Sequence, residues 1–174
     1  MERIQRFHFC PKCGGPLVYR RRHDRERLSC EGCGYVMYEN PVVGVAAIVM
    51  DSGRLLLGRR AAWSTYPGLW CIPCGYVEYD EDVYDAIRRE FSEETGLTIE
   101  PTGVYTVLSN WHNPEAHTVG IWFSAAVTGG RLQAGDDLDA VEYFPLDAIP
   151  SLAFPTDAEV IRMLRRDDGG DRRQ

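Results

Sequence analysis

Lysine is almost absent from this chain: one residue, Lys12, stands against eighteen arginines among 174 residues. We interpret this scarcity as a composition bias without functional meaning. Long apolar runs are absent too, because the longest, residues 42–50, is far shorter than the roughly 20 residues that cross a bilayer. The first residues, Met1 to Arg6, are charged and lack the apolar core of a signal peptide. We therefore expect a cytoplasmic protein with no membrane partner.

Charge is divided unevenly along the sequence. Residues 1–40 carry eight Lys and Arg against five Asp and Glu, a net +3, whereas residues 41–174 carry eleven against twenty-one, a net −10. A nucleic-acid partner calls for a strongly basic surface, which the larger part of the chain lacks. We therefore do not expect nucleic acid to be its main partner. The length has room for one ordinary domain and a small module.

Acidic residues are concentrated between positions 81 and 94. Positions i, i+3 and i+4 are neighbours on a helix, so three of these carboxylates share one face: Glu90, Glu93 and Glu94. An apolar stripe borders that face at Val83, Ile87 and Phe91. The alternative is a solvated acidic helix, but its carboxylates would lie opposite the stripe. Three converging carboxylates form a hard oxygen site that suits Mg²⁺ or Mn²⁺.

The spacing from Gly75 to Leu97 resembles the Nudix box. That motif is a glycine, five residues, Glu, seven residues, Arg-Glu, a bulky apolar residue, any residue, Glu-Glu, any residue, a glycine and a bulky apolar residue. All nine fixed positions are present over 23 residues, so a chance match is remote. The resemblance covers roughly residues 41–165. It implies a Mg²⁺-dependent hydrolase of nucleoside diphosphates linked to another moiety.

The resemblance also implies a set of metal ligands. Mg²⁺ or Mn²⁺ would be held by the Gly75 carbonyl and by the carboxylates of Glu90, Glu93 and Glu94. In relatives an acidic residue just ahead of a late strand swings toward this cluster, and Asp137 is our candidate for it. These ions would neutralise phosphate charge and lower the pKa of bound water.

Catalytic roles follow from the same resemblance. Glu90 would orient or deprotonate the attacking water, Arg89 would position Glu90, and Glu81 would be an ancillary carboxylate. The small-molecule substrate would be ADP-ribose, FAD or NAD(H). Two other functions stay open: an RNA-cap hydrolase that holds RNA through its N-terminal module, and a regulator that binds a nucleotide without cleaving it. Such regulators typically have a broken box, and this box is intact. Dimers are common among the relatives, so a homodimer is expected.

Substrate contacts are predicted at three positions. Arg59 and Arg60 end a predicted Leu-Leu-Leu-Gly-Arg-Arg strand and point into the loop before the box. In the family that these residues resemble, an arginine here can meet substrate phosphate, although a plain surface charge is an equal alternative. Trp111 could stack on a base or be an ordinary rim aromatic. NADH pyrophosphatases carry a Ser-Gln-Pro-Trp-Pro-Phe-Pro-type run past the box, and residues 108–115 do not match it. We therefore expect ADP-ribose or FAD to be preferred over NADH.

The first forty residues contain two C-x₂-C knuckles separated by sixteen residues: Cys10 with Cys13, and Cys30 with Cys33. This spacing is typical of a zinc ribbon, in which four thiolates close a tetrahedral structural site. Free cysteines or two disulfides are the alternatives, and a reducing compartment disfavours disulfides. So short a segment also needs a metal or a covalent cross-link to fold, because its apolar core is small. Residues 17–27 predict a hairpin between the knuckles, and we interpret its five arginines as a solvated tip rather than an RNA contact.

Cys71 and Cys74 form a third C-x₂-C with no fourth pair to complete another ribbon. Buried free thiols are the favoured interpretation, ahead of a ligand pair or a redox pair. Most relatives have glycine where Cys74 stands. If that position requires φ > 0, cysteine would tolerate it poorly and the loop beside Gly75 would be distorted.

The predicted fold class is α+β: a Nudix-type α/β/α sandwich around a mixed sheet, preceded by a small zinc-ribbon module. We place the ribbon at residues 1–40, the hydrolase domain at 41–166 and a frayed polar tail at 167–174. Expected strands cover residues 42–50, 103–110 and 118–127, and the first of them turns at Asp51–Gly53 into a hairpin partner. Residues 155–157 are expected to N-cap a final helix.

Overall fold

The computed structural model of the protein describes residues 5–113 and 116–171. The chain divides into two compact units, residues 1–40 and residues 41–174. Across the described ranges, neither helix is both long and apolar enough to cross a membrane.

The first unit is a three-stranded antiparallel sheet in the order β1-β2-β3. Its strands are β1 (Leu17–Arg22), β2 (Arg25–Cys30) and β3 (Val36–Met37). The predicted hairpin is confirmed, because β1 and β2 pair from Leu17 opposite Cys30 to Arg22 opposite Arg25. Its small core consists of Cys10, Leu17, Leu28 and Cys30.

The second unit is built on a seven-stranded mixed sheet flanked by two helices. Its elements are β4 (Val42–Asp51), β5 (Arg54–Arg60), β6 (Trp70–Cys71), β7 (Cys74–Tyr76), α1 (Val83–Thr95), β8 (Leu97–Asn110), β9 (Thr118–Gly130), β10 (Leu138–Pro145) and α2 (Pro155–Asp171). The main strand order is β10-β5-β4-β9-β8, with β6 beside β5 and β7 beside β4. β4 and β9 run parallel, and the other pairs are antiparallel.

Strand β4 is the centre of this unit. Its alternate side chains enter two different cores, since Val45, Ala47 and Val49 belong to one cluster and Ala46 and Ile48 to the other. The first cluster contains Ile87 and Phe91 of α1, and the second contains Val160 and Ile161 of α2. A strand buried on both faces reads as a continuous apolar run, which is the pattern seen in the sequence. The predicted α/β/α sandwich is thereby confirmed.

The hairpin after β4 is also confirmed. Ser52 and Gly53 both adopt positive φ, at 50° and 77°. Two consecutive residues of this kind give a turn whose twist matches that of the flanking strands, which explains why a glycine stands here. The turn brings Asp51 opposite Arg54 and Met50 opposite Leu55.

Helix α1 is bounded by a capping residue at each end. The Asp82 side chain accepts a hydrogen bond from the backbone N–H of Tyr84, which caps the first turn. Gly96 ends the helix in the left-handed conformation, with φ at 69°. The carboxylate face between these two caps therefore has a fixed start and a fixed end.

Helix α2 departs from the prediction at both ends. It begins at Pro155, a residue well suited to the first helical position, so Asp157 lies within the first turn and is not a cap. The Asp157 carboxylate instead accepts a hydrogen bond from the backbone N–H of Ile72 at 3.0 Å. The helix continues to Asp171, and the Tyr105 hydroxyl donates to Asp167 at 2.6 Å. The remaining residues of the predicted tail, 172–174, lie outside the described residues.

Candidate active site

Two carboxylates of α1 are withdrawn from water. Glu94 is 1% exposed, and its Oε2 accepts a hydrogen bond from the backbone N–H of Cys74 at 2.7 Å. Burial raises the pKa of Glu94 well above its usual range, and the nearby charge of Glu90 pushes it the same way. Burial also raises the pKa of Glu90. Two partly or fully desolvated carboxylates one helical turn apart form a site that favours a bound cation.

Arg89 ties the neighbouring carboxylates together. Its guanidinium donates to both oxygens of Glu81 at 2.8 Å, to Glu90 at 2.9 Å and to Glu93 at 3.1 Å. It also donates to the backbone carbonyl of Tyr76 at 3.2 Å. These contacts raise the pKa of Arg89, with the hydrogen bond to Glu81 as the largest cause. One arginine thus contacts three carboxylates of the box, Glu81, Glu90 and Glu93, at the same time.

Gly75 lies directly against the Glu90 carboxylate. A Cβ atom at position 75 would stand 1.9 Å from Cδ of Glu90 and 2.0 Å from its Oε2. No other residue type leaves room for this approach. Gly75 is paired with Val45 in the short strand β7, so the contact is fixed by the sheet.

A loop closes over the C-terminal end of α1. The backbone N–H groups of Arg131, Gln133 and Gly135 donate to the carbonyls of Gly96, Thr95 and Glu94, respectively, at 2.8–3.0 Å. These bonds satisfy the carbonyls that a helix end leaves without partners. The next two residues of the loop, Asp136 and Asp137, line the site, and Asp136 has a positive φ of 48°.

A cavity of about 630 Å³ joins these groups, a size typical of small-molecule sites. One group of lining residues is charged: Arg60, Glu90, Glu94, Asp136 and Asp137. A second group is aromatic or polar: Tyr66, Asn110, His112, Trp122, Phe154 and Asp157. The rings of Tyr66, His112 and Phe154 lie 5.7–5.8 Å apart, centroid to centroid. A charged region and an aromatic region therefore share one cavity.

The two arginines predicted to contact substrate, Arg59 and Arg60, lie in different surroundings. They are the last two residues of strand β5, and successive strand residues point to opposite faces. Arg60 is buried in the cavity wall, where it donates to Thr65 and to Asp137 Oδ2 at 3.0 Å. Arg59 pairs with Asp139 at 2.6 Å on the exposed side. Of the two arginines, only Arg60 lines the cavity.

The remaining predicted residues also differ in placement. Glu93 is half exposed and bonded to Arg89, whereas Glu90 and Glu94 line the cavity. Trp111 is 70% exposed and stacks on His117 at 3.5 Å in a shallower recess beside the cavity. The sequence analysis missed Asp136 and the ring cluster of Tyr66, His112 and Phe154. Only Asp136, adjacent to the chosen Asp137, carried a signal that could have been recognised.

Cys74 fits the backbone that it occupies. It pairs with Ala46 in β7, and its φ is not among the positive values found in the described residues. The expected distortion is therefore absent from this part of the chain, because a β conformation suits cysteine as well as glycine. Cys71 is buried, Cys74 is partly buried, and both are free thiols.

The donor set of the cavity fits a hard divalent cation. The available ligands are carboxylate oxygens and backbone carbonyls, which suit Mg²⁺ or Mn²⁺ better than softer metals. Burial raises the pKa of both Glu90 and Glu94, so a bound cation would stabilise their charged forms.

The four N-terminal cysteines form a compact sulfur cluster. The Sγ atoms of Cys10, Cys13, Cys30 and Cys33 all lie within 4.8 Å of one another. The backbone N–H of Lys12 donates to Cys10 Sγ at 3.4 Å, a contact typical of a metal knuckle. The glycine after each second cysteine adopts positive φ, 72° at Gly14 and 73° at Gly34. Four sulfurs in this arrangement suit zinc and close the site against solvent ligands.

The described structure thus combines an acidic helix face, a buried arginine and a cavity of about 630 Å³ in one site. The family model described as NUDIX domain matches residues 40–164, and the model described as Nudix N-terminal, a zinc ribbon, matches residues 8–39. The chain belongs to the Nudix hydrolase family and is an enzyme that acts on pyrophosphate bonds.

Several named proteins are similar to this chain. An ADP-ribose pyrophosphatase of Methanocaldococcus jannaschii is 37% identical over 121 residues, which is 69% of this chain and 71% of that protein. An NAD-capped RNA hydrolase NudC of Stutzerimonas stutzeri is 28% identical over 86% of this chain, and the match spans 52% of its own length. A NUDIX hydrolase structure from Nitrosomonas europaea superimposes with a TM-score of 0.77 at 29% identity, covering 88% of this chain and 87% of the other.

Proposed function

We propose that this protein is a Mg²⁺-dependent hydrolase that cleaves the diphosphate bond of ADP-ribose or a closely related nucleoside diphosphate derivative. The observation that carries the proposal is the single cavity that holds Glu90, Glu94 and Arg60 together with an aromatic ring cluster. The similarity to an ADP-ribose pyrophosphatase supports the same substrate class. The products would be a nucleoside monophosphate and the phosphorylated remainder.

The roles of the residues follow from their placement. Glu90, Glu94 and the Gly75 carbonyl would hold the metal, with Asp136 or Asp137 as a further carboxylate from the facing loop. Glu90 would orient or deprotonate the attacking water, while Arg89 keeps its carboxylate in place through the 2.9 Å hydrogen bond. Arg60 would bind a phosphate oxygen after exchanging part of its contact with Asp137. Bound Mg²⁺ would supply charge neutralisation and acidify a water molecule.

The base would occupy the aromatic part of the cavity. Tyr66, His112 and Phe154 present their rings there, and the Arg60 guanidinium lies 5.7 Å from the Phe154 ring centroid. A substrate whose base contacts these rings would therefore bring its phosphates toward Arg60. This placement does not require Trp111, which the sequence analysis proposed for stacking.

The test is a substrate panel with a catalytic control. Purified protein is assayed with ADP-ribose, FAD and NADH at saturating Mg²⁺, with and without EDTA. We expect the highest kcat/KM for ADP-ribose or FAD, and a loss of at least ~10²-fold in kcat for Glu90→Gln and for Glu94→Gln, the size of effect expected for one general base or metal ligand. Undiminished turnover by the double variant would contradict the proposal. Arg59→Gln is the matched control, since Arg59 pairs with Asp139 outside the cavity.

A second candidate is removal of an NAD cap from RNA. Five arginines lie between positions 20 and 27 of the first unit, in a segment that is mainly exposed, and the similar NudC proteins are named NAD-capped RNA hydrolases. Because phosphate contacts make binding salt-dependent, RNA held by this segment should be released as salt rises. An Arg21→Gln, Arg22→Gln variant should then lose activity on NAD-capped RNA and keep activity on ADP-ribose. Equal effects on both substrates would argue against this candidate.

A further inference from the structure

One loop of the cavity wall, residues 61–68, is tied to the buried arginine that precedes it. Arg60 is 6% exposed, and its Nε donates to the backbone carbonyl of Thr65 while its Nη2 donates to the Thr65 hydroxyl, each at 3.0 Å. The backbone closes the same loop, because the Gly68 N–H donates to the Arg60 carbonyl at 2.8 Å. Hydrogen bonds from a charged group are stronger than those between neutral groups, so Arg60 fixes both the main chain and the side chain of Thr65.

The next residue, Tyr66, has a strained backbone. Its φ is 58°, a value that a bulky side chain rarely adopts. Such a conformation persists only where the surrounding structure holds it, and it is found most often at functional sites. Here it is held from both sides, since Arg60 bonds to Thr65 and the Leu69 N–H donates to the Tyr66 carbonyl at 3.2 Å.

The held backbone determines where the Tyr66 ring lies. Its centroid is 5.7 Å from that of His112 and 5.8 Å from that of Phe154, and all three residues line the cavity. Tyr66 remains 41% exposed, so its ring is not required to fill the core. Arg60 also donates to Asp137 in the charged part of the cavity. One arginine therefore connects that charged part to the loop that carries an aromatic ring.

We propose that Thr65 is a positioning residue for substrate binding, which links the fixed guanidinium of Arg60 to the Tyr66 ring so that a phosphate and a base are bound at a set separation. This inference rests on the proposed function, in which Arg60 binds phosphate and the ring cluster binds the base. It deepens that function, because a ligand that carries both groups benefits from two contacts that are oriented in advance. A phosphate without a base gains nothing from Thr65.

Steady-state kinetics with ADP-ribose test the role of the Thr65 hydroxyl. Thr65→Val keeps the shape of the side chain and removes its oxygen, so KM should rise about 5–10-fold while kcat changes less than ~2-fold. Thr65→Ser retains the hydroxyl and should behave as the wild type. Thr65 is exposed, so both variants should fold. Thr102→Val is the matched control, since the Thr102 hydroxyl donates to the Ser124 carbonyl outside the cavity.

A double-mutant cycle shows whether Thr65 acts through Tyr66. Tyr66→Ala should itself raise KM. Adding Thr65→Val to it should then raise KM by less than ~2-fold, because the ring that Thr65 positions is gone. Effects of the two substitutions that multiply in full would overturn the proposal, as would a Thr65→Ser variant with the same KM as Thr65→Val.

Calorimetry with Glu90→Gln protein separates this inference from the proposed function. In that background Thr65→Val should weaken the binding of AMP about 5–10-fold and leave the binding of ribose 5-phosphate, which lacks a base, unchanged. This result without any turnover by the wild type would reject the proposed function and keep the positioning role. Turnover by the wild type with equal weakening of both ligands would reject the positioning role alone, and a protein that does not bind AMP would also reject it.

Discussion

Adding a single methyl group at position 75 should lower the catalytic rate while leaving the stability of the fold nearly unchanged. In Gly75→Ala the added Cβ would overlap the Glu90 carboxylate, 1.9 Å from Cδ. The overlapping atoms are the far end of a flexible side chain, so Glu90 can swing away at little cost to the fold. We expect kcat to fall by ~10²-fold or more, because a displaced base or ligand loses its geometry. Steady-state kinetics and a thermal melt measure the two effects.

Gly103→Ala provides the matched comparison for this substitution. Position 103 lies in β8, and a Cβ there would meet no atom within 4 Å. Its kcat and Tm should both stay near the wild-type values. If Gly75→Ala retained full activity, or lost activity only by unfolding, the close approach of Gly75 to Glu90 would not have the importance assigned to it.

Asp157 should also make stability depend on pH. Burial raises its pKa from an ordinary value of 3.8 to about 7, while the Ile72 N–H and the nearby indole act in the other direction. Between these values the folded protein keeps a proton that the unfolded chain releases. Its contribution to stability is therefore present below about pH 4 and is lost as the pH rises through 7. Asn cannot ionise, so Asp157→Asn should gain stability relative to wild type across this window, by an amount on the order of 2–4 kcal/mol.

Urea unfolding of the two proteins at pH 5 and pH 8 measures this difference. Other carboxyl groups titrate in the same range, but they are common to both proteins and cancel in the comparison. Asp51→Asn, on the surface, should follow the wild-type pH dependence. Parallel stability curves for wild type and Asp157→Asn would show that the Asp157 carboxyl is not desolvated in solution.

At the scale of elements, the site depends on the contact between α1 and the loop at residues 131–137. Gly135 lets this loop approach the helix, since a Cβ there would stand 2.5 Å from the backbone carbonyl oxygen of Glu93. Backbone cannot move aside as a side chain can, so Gly135→Ala should cost about 1–3 kcal/mol, the usual range for overpacking. It should also shift Asp136 and Asp137 and lower kcat. Gly129→Ala, where a Cβ meets nothing within 4 Å, should do neither.

The sequence predicts elements whose signals are local. Helix α1 has its apolar stripe within its own residues and its capping aspartate and terminal glycine directly beside them. The unbroken apolar run of β4 indicates that this strand is buried on both faces. The different placements of Arg59 and Arg60 could not be predicted in the same way, because a local pattern does not tell which face of strand β5 borders the cavity. Asp157 resembles a cap in sequence, and only its packing against Ile72 shows that its carboxyl serves another element. The ring cluster unites residues 66, 112 and 154, whose proximity no local pattern encodes.

At the scale of the whole molecule, the two units are stabilised differently. In the second, the two main cores lie one on each side of β4, and every residue lining the cavity belongs to this unit. The first has a core of four residues, two of them cysteines. So small an apolar centre cannot outweigh the conformational entropy of its chain, so its fold should depend on a metal held by the sulfur cluster.

Zinc removal should therefore unfold the first unit and spare the second. Metal analysis of the full chain should find one tightly bound Zn²⁺. Cys10→Ser or Cys33→Ser should abolish it and make residues 8–39 sensitive to protease, because the metal-binding free energy supplies most of the folding free energy of such ribbons. Mg²⁺-dependent hydrolysis of ADP-ribose should continue, since the proposed catalytic residues lie in residues 41–174.

Cys74→Ser is the control, as Cys74 lies outside the sulfur cluster, and it should retain the zinc. Native protein without zinc but with a protease-resistant N-terminal unit would show that the sulfur cluster is not what holds this unit together.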